Sequence, residues 1–258
     1  MVNARFDLKQ AVVLAGGRGE RLRPLTDNIP KPMAPVKGIP FLDYLINSLV
    51  TIGIKKILLL VGYRNEVIKN RYGSSLNNGV KIEYSTGTVE DMTGRRLIHA
   101  YDKLDDNFLL LYGDNYWPIE IDKMLDLYTR KKVKVSTTVF SNIDGTAEYG
   151  KENNVEVGDD NIVKKYDKSR KSLSMNGVDI GYFIVDKTAI NPRINSNISF
   201  EEDMLPPLIA EKQLIAYVTD RQYYYITDSE SLKSFEDASA EEGFKPIPKI
   251  LFNRGAMI

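Results

Sequence analysis

The sequence predicts an α/β fold, an open, mainly parallel mixed sheet flanked by helices, and three observations carry that prediction. Short Val/Ile/Leu-rich runs alternate with helical patterns, as expected for βαβ units. Two of the runs, Gln10 to Leu14 and Phe108 to Tyr112, lead into glycine-bearing segments, Gly16-Gly17-Arg18-Gly19 and Gly113-Asp114-Asn115. Ligands of open α/β sheets bind outside the carboxyl ends of strands, where both segments fall.

Taken in order, Gln10 to Leu14 is the first strand. Phe41 to Ile52 is a helix, because Phe41, Leu42, Leu45, Ile46, Leu49 and Val50 share one face and Gly53 supplies a stop. Ile57 to Val61 is a buried strand, Asn65 to Tyr72 a short helix and Val80 to Tyr84 a strand. Phe108 to Tyr112 follows as an apolar strand and Asp122 to Arg130 as a helix. Strands then dominate: Lys134 to Phe140, Asn154 to Val157, Ile162 to Tyr166 and Val178 to Val185. Glu201 to Glu211 reads as a helix, Leu214 to Val218 and Tyr223 to Ile226 as strands, and Ser229 to Ala238 as the last helix. The period of a strand puts alternate rings of Tyr223-Tyr224-Tyr225 on opposite faces. No internal repeat or low-complexity linker divides the chain, so one domain is expected over residues 1–240, with a tail at 241–258. The halves of that domain fall at about 8–130 and about 131–240.

Composition narrows the function by exclusion. The 258 residues suffice for a substantial core. Lys and Arg number 35 and Asp and Glu 35, so no overall field favours nucleic acid or a membrane surface. There is no cysteine, which removes disulfides, thiolate metal sites and cysteine nucleophiles. No apolar run has the length of a membrane span and the first residues lack a signal core, so a cytoplasmic protein is expected. The single histidine, His99, falls in Leu97-Ile98-His99-Ala100-Tyr101, a helical setting that reads as a surface or satisfied core position.

The run Leu14-Ala15-Gly16-Gly17-Arg18-Gly19-Glu20-Arg21-Leu22-Arg23-Pro24, followed by Pro30-Lys31-Pro32-Met33, has the chemistry of a phosphate cradle. Glycines let backbone N–H groups approach an anion, while Arg18, Arg21, Arg23 and Lys31 bring mobile positive charge. A Walker loop needs G-x-x-x-x-G-K-[ST] and a dinucleotide fingerprint needs G-x-G-x-x-G, and the segment meets neither. Asp114, at a strand end, is a candidate hard-oxygen ligand for Mg²⁺, its plainer alternative being a turn after Gly113.

From Leu14 to Val36 the chain resembles the signature of the sugar-1-phosphate nucleotidyltransferases, or NDP-sugar pyrophosphorylases. The resemblance implies a Rossmann-like fold of the nucleotide-diphospho-sugar transferase type. It also implies transfer of a nucleotidyl group from a nucleoside triphosphate to a sugar 1-phosphate, with Mg²⁺ as cofactor. Leu14, Ala15, Gly16, Gly17, Arg18, Gly19 and Gly113 would then hold the nucleotide, and Arg21, Lys31 and Asp114 would act in catalysis. The reaction brings two anions together and needs no general base, so a missing catalytic histidine is no obstacle.

The resemblance continues downstream with departures. Asp114 matches the family's metal aspartate, whereas Tyr225 stands where a second one is usual. Asp228 is the nearby substitute, with the N-cap of the following helix as its other reading. Asp167-Lys168 resembles the family's Glu-Lys pair for sugar hydroxyls and sugar phosphate, with a solvated charge cluster as the alternative. Asp179-Ile180-Gly181-Tyr182 resembles the next family strand, though Gly181 also fits a bulge. Met92-Thr93-Gly94-Arg95-Arg96-Leu97 is similar to the segment of cytidylyl enzymes acting on glucose 1-phosphate, placing Gly94 and Arg96 at the nucleotide and tilting the reading toward CTP. Ile29 to Pro35 is equally similar to heptose-1-phosphate guanylyltransferases. Glu20 replaces the family's usual threonine, which keeps a nucleotide-sugar-binding regulatory protein open as an alternative. A nucleotidyltransferase for a non-sugar phosphate is also left open, as is self-association. The tail from Pro246 to Ile258 faintly resembles the opening strand of a haloacid-dehalogenase-type phosphatase, but Asn253 and Gly255 stand where its catalytic aspartates would fall.

Overall fold

The computed structural model describes residues 8–252. In chain order its first strands and helices are β1 (Gln10–Ala15), β2 (Pro35–Val36), β3 (Ile39–Pro40), α1 (Phe41–Thr51), β4 (Lys56–Val61), α2 (Asn65–Tyr72) and β5 (Lys81–Thr86). There follow α3 (Thr93–His99), β6 (Asn107–Tyr112), β7 (Asn115–Tyr116), α4 (Ile121–Lys131), β8 (Val135–Phe140), β9 (Val155–Val157) and β10 (Val163–Tyr166). The last are β11 (Val178–Asp186), α5 (Leu205–Ala210), β12 (Leu214–Thr219), β13 (Tyr224–Tyr225) and α6 (Ser229–Glu241). Every main strand and helix expected from the periodicity is present, with ends displaced by a residue or two for most and by three for α6.

The chain forms two compact units, interleaved in sequence. Of the described residues, one contains 8–10, 92–110 and 120–222, and the other 11–91, 111–119 and 223–252. In the second unit β4 lies between β1 and β5, and β4 runs parallel to β5 from Lys56 opposite Lys81 to Val61 opposite Thr86. Strands β1 and β4 are apolar almost throughout because both of their faces are covered, the pattern parallel strands require. In the first unit β8 lies between β12 and β11, parallel to β12 and antiparallel to β11. The register of β11 against β8 is interrupted between Asp179 and Phe183, and Gly181 takes a left-handed φ of 78° there, so the bulge reading of that glycine is realised. The architecture is thus the open, mainly parallel mixed sheet flanked by helices that the sequence predicts.

One expected helix has a different form. Glu201 to Glu211 opens as a π-helical turn, Phe200–Met204, and becomes α-helical only over Leu205–Ala210. Pro206 and Pro207 bring no backbone donors to the start of that α-helix, so the preceding turn is closed by other means, including the Ser199 hydroxyl, which accepts from the Glu202 amide.

The core of the second unit is organised around Phe235 of α6, whose ring lies 4.8 Å from Phe41, 5.4 Å from Tyr44 and 5.1 Å from Tyr116. Tyr224 joins this cluster while Tyr223 and Tyr225 face each other at 5.9 Å, the alternation expected of the tyrosine triple. Phe244 stacks on Phe235, and beyond it the chain is laid across α1 and the turn that follows α2 through bonds from the Ile247 amide to the Asp43 carbonyl and from the Asn77 side chain to the Ile250 and Phe252 carbonyls. That described part of the tail ends in a single 3₁₀ turn, Lys249–Leu251, and Asn253 and Gly255 lie outside the described residues. Replacing Phe235 by Ala empties the centre of this cluster. Urea denaturation should show a loss of about 3–5 kcal/mol, the range for a buried aromatic cut back to Ala.

Candidate functional site

The segment after β1 is shaped by one glycine more than by the others. Gly19 has a φ of 69°, and a β-carbon added to it would lie 2.7 Å from Cβ of Lys31. Both its conformation and the approach of the lysine therefore exclude a side chain. Its carbonyl accepts from the Leu22 amide at 3.0 Å and the buried Thr26 hydroxyl at 2.8 Å, which ties the loop to the basic segment after it. The Gly16 carbonyl accepts from the Tyr63 amide at 3.1 Å, fixing the other end of the loop.

Lys31 heads a 3₁₀ turn, Lys31–Met33, that buries Pro32 and Met33. Burial of those two side chains leaves the lysine stem packed with only its head directed outward, and that head meets Asp114. The Lys31 Nζ to Asp114 Oδ2 distance is 2.6 Å, with side chains 14% and 36% exposed. Asp114 comes to this position because Gly113 lets β6 close on β1. The Gly113 amide donates to the Leu14 carbonyl at 2.9 Å, and a β-carbon there would fall 2.7 Å from the same oxygen.

These pieces line one cleft of about 550 Å³ in the second unit. Gly17, Arg18, Gly19, Arg21, Lys31 and Asp114 were all candidates from sequence and share its wall, joined by Glu20, Val89, Glu90 and Thr227. Leu14 and Ala15 lie directly behind as the buried end of β1. Arg18 rests beside Glu90 at 3.6 Å and over the Tyr63 ring. The cleft can therefore present glycine backbone and three cations to a polyphosphate, with the carboxylates of Glu20, Glu90 and Asp114 among them.

Asp228 sits at the N-cap of α6. Its Oδ1 accepts from the Ser231 amide at 2.9 Å and the Ser231 hydroxyl at 2.8 Å, in a reciprocal capping box. These bonds, from the amide first, and the charge of Arg21 hold its carboxyl below the ordinary aspartate value.

The remaining candidates lie in the first unit. Asp167 spends its carboxylate on its own turn, Oδ1 accepting from the Ser169 amide and hydroxyl and Oδ2 from the Ser172 amide at 3.0 Å. Lys168 Nζ pairs with Glu202 at 3.1 Å. Buried Asn154 connects this turn to β11, its carbonyl accepting from the Asp167 amide at 2.8 Å and its Oδ1 from the Asp179 amide at 2.9 Å. Asp179 accepts from the Thr137 hydroxyl at 2.8 Å, the Gly181 amide at 3.0 Å and the Tyr166 hydroxyl at 3.1 Å. Loss of water around it outweighs these donors and raises its carboxyl to about 6. Gly94 packs on the chain at Ile198, where a β-carbon would meet the carbonyl oxygen at 2.8 Å, and Arg96 is buried two residues on. His99 ends α3, as its helical setting suggested. Asn154, Tyr166, Thr137 and Glu202 had no motif to announce them.

The family model described as nucleotidyl transferase matches residues 10–242. The chain belongs to that family. Its similarities fall among the sugar-1-phosphate nucleotidyltransferases, as the glycine loop implied. A D-glycero-alpha-D-manno-heptose 1-phosphate guanylyltransferase of Campylobacter jejuni is 30% identical over 196 residues, covering 75% of this chain and 83% of the relative. A probable glucose-1-phosphate cytidylyltransferase of Bacillus subtilis is 26% identical over 248 residues, covering 87% and 92%. The fold is shared with UDP-glucose pyrophosphorylase of Acinetobacter baumannii, with a TM-score of 0.77 at 16% identity over 93% of this chain and 96% of the other. Among the described residues no helix is long and apolar enough to cross a membrane.

Asp179 makes stability depend on pH in a predictable direction. Its folded-state value of about 6 lies above the ordinary 3.8, so the folded chain holds that proton more tightly than the unfolded chain. The stabilisation is full below about pH 4 and is lost as pH rises through 6. In Asp179→Asn the amide oxygen keeps the Thr137 and Gly181 donors and the amide nitrogen can donate to Tyr166. Unfolding free energies measured from pH 4 to 7 should fall by about 1–3 kcal/mol more in the parent than in this variant.

Proposed function

We propose that the chain transfers a nucleotidyl group from a nucleoside triphosphate to a sugar 1-phosphate, releasing pyrophosphate and giving a nucleotide sugar. The observation that carries this reading is the Lys31 and Asp114 pair set among Gly17, Gly19, Arg18 and Arg21 in a single cleft. Family membership supports it, as do relatives named for sugar-1-phosphate nucleotidyl transfer.

In the reaction a phosphate oxygen of the acceptor attacks the α-phosphorus. The new P–O bond forms as the bond to the bridging oxygen breaks, and pyrophosphate leaves with that oxygen. The nucleophile is already anionic, a phosphate monoester having its second ionisation near pH 6 in round terms, about a unit below neutrality. The chain must therefore overcome repulsion between anions rather than remove a proton. Gly17, where an added β-carbon would meet nothing within 4 Å, leaves room for the phosphates to meet backbone. Arg21 and Lys31 neutralise charge on the transferring and leaving groups, and the Lys31 head is pre-positioned by its packed turn. Arg18, half-exposed beside the Glu90 carboxylate and over the Tyr63 ring, can swing onto the triphosphate tail.

A divalent cation is part of this proposal. No cluster of three or more acidic or histidine side chains occurs among the described residues, so the protein offers no cage of its own. One partly exposed carboxylate is what Mg²⁺ needs from protein when phosphate oxygens and water complete its shell, so Asp114 fits as its holder. When bound there, Mg²⁺ would draw together the phosphate oxygens and offset charge as it develops. Asp228 is assigned to the cap of α6, near Arg21, rather than to the cation. For the acceptor, Lys168 and Asp179 are the proposed contacts for sugar phosphate and sugar, with Asp167 shaping the turn that carries Lys168. CTP is the favoured nucleotide, on the Met92 to Leu97 segment and the similarity to the Bacillus subtilis relative, with GTP its competitor.

Pyrophosphate release, measured with CTP, GTP, UTP or dTTP against glucose, mannose and heptose 1-phosphates in the presence of Mg²⁺, tests the reading. Activity with at least one pair is expected, and silence across the whole grid would refute it. With the active pair, Lys31→Ala and Asp114→Ala should each lower turnover by roughly a hundredfold, the scale for deleting one preorganised charge contact. A near-normal rate in either would remove that residue from the mechanism.

A further inference from the structure

The Met92 to Arg96 segment is clamped by a distant part of its own unit, and the clamp converges on one carboxylate. Glu201, only 7% exposed, accepts at Oε2 from the Thr93 hydroxyl and the Ser199 hydroxyl, each at 2.7 Å. The Thr93 oxygen in turn accepts from the Phe200 amide at 2.8 Å. Thr93 thus uses its hydroxyl both as donor and as acceptor within the protein, and that side chain is a pin rather than a ligand contact.

Three more bonds close the same seam. The Met92 amide donates to Asn197 Oδ1 at 2.8 Å, the Arg95 amide to the Ile198 carbonyl at 3.0 Å, and the Arg95 guanidinium to the Ile194 carbonyl at 3.1 Å. Gly94 lies between them, so close to Ile198 that no β-carbon fits. The carboxylate stands on the π-helical turn Phe200–Met204, and such turns recur where a side chain must be re-aimed for function. A buried carboxylate is costly unless hydrogen-bonded, and here the Thr93 and Ser199 hydroxyls supply those bonds.

We infer that Glu201 is a positioning residue for nucleotide binding, holding Thr93 so that Gly94 and its neighbours present their backbone to the nucleotide. This rests on the proposed function, in which Gly94 and Arg96 belong to the nucleotide site. It adds a residue more than a hundred positions away from that segment, which touches no substrate itself.

The test compares nucleotide affinity with acceptor affinity. Calorimetric titration with CTP and with GTP in Mg²⁺ buffer, alongside steady-state kinetics, is made on the parent, Thr93→Val, Thr93→Ser, Glu201→Ala, Glu201→Gln and the Thr93→Val/Glu201→Ala pair. Thr93→Val and Glu201→Ala should each weaken the bound nucleotide by about tenfold or more, the scale for a hydrogen bond to a charged group. The KM for sugar 1-phosphate and kcat should change by less than about threefold, as when binding rather than the chemical step is affected. Thr93→Ser and Glu201→Gln keep a hydroxyl and an accepting oxygen and should recover most of the affinity. The double variant should be no weaker than the worse single one, because the two act as one contact. Parent-like affinity in Thr93→Val or Glu201→Ala, additive losses, or equal losses for both substrates would overturn the inference. A parent that binds neither nucleotide would overturn the proposed function and this inference with it.

Discussion

The Lys31 and Asp114 side chains meet at 2.6 Å in the second unit, from positions 83 residues apart in sequence, and the segments that line the cleft are arranged around that contact. Neither charge could be held so close to the apolar ends of β1 and β6 without the other, because a partly buried ion left unpaired is expensive. The pair is therefore a joint condition on three segments. Gly19 must lack a side chain for Lys31 to approach, Gly113 must lack one for β6 to close on Leu14, and Pro32 and Met33 must be buried to fix the lysine stem. The contact behind that turn is also polar: the Tyr72 hydroxyl lies 3.9 Å from the Met33 sulfur and donates to Asp43 at 2.6 Å. Asp43 is in turn paired with Arg71 through both oxygens, so the turn carrying Lys31 rests on a saturated hydrogen-bond group.

The first unit handles its carboxylates differently. Asp179 has donors on both oxygens yet its carboxyl is raised to about 6, because water has been excluded faster than donors have been supplied. Glu201 is raised for the same first reason, with the Thr93 hydroxyl offsetting part of it. In both cases no lysine or arginine makes the primary contact. Hydroxyls and amides do, and these fix direction more than charge. Such groups suit the orientation of a neighbouring segment or of a sugar hydroxyl, whereas cationic contacts suit phosphate. The two units thus carry two kinds of polar chemistry.

Much of this was readable in the chain because it is local. The strand at Gln10, the glycines and cations after it, and Gly113-Asp114 at a strand end occupy consecutive positions, and short-range sterics fix their roles. The helices at Phe41 and Asn65 follow from one-sided apolar spacing. What was not readable depends on pairing across distance. Thr93 and Glu201 are 108 positions apart, and neither has a neighbour in sequence that betrays the other. Asn154 ties Asp167 to Asp179 by a carbonyl and an amide oxygen, contacts that exist only once β11 is in register. The π-helical start at Phe200 was hidden because its apolar spacing is close to that of an α-helix. Only the fold of the segment before Pro206 distinguishes the two.

Residue type alone also does not say which carboxylate is available for a ligand. Four aspartates illustrate the difference. Asp43 is almost fully buried and saturated by Arg71 and Tyr72, Asp228 is engaged by Ser231 at a helix cap, and Asp167 accepts three bonds from its own turn. To bind a cation, each would have to give up a bond that holds backbone or core in place. Asp114 is bonded to a lysine head whose alternative partner, in a nucleotidyl-transfer reaction, is the incoming phosphate. Under the proposed function Lys31 would turn to that phosphate and leave the Asp114 carboxylate to the proposed Mg²⁺. It is this replaceable partner, more than position at a strand end, that separates Asp114 from the other three.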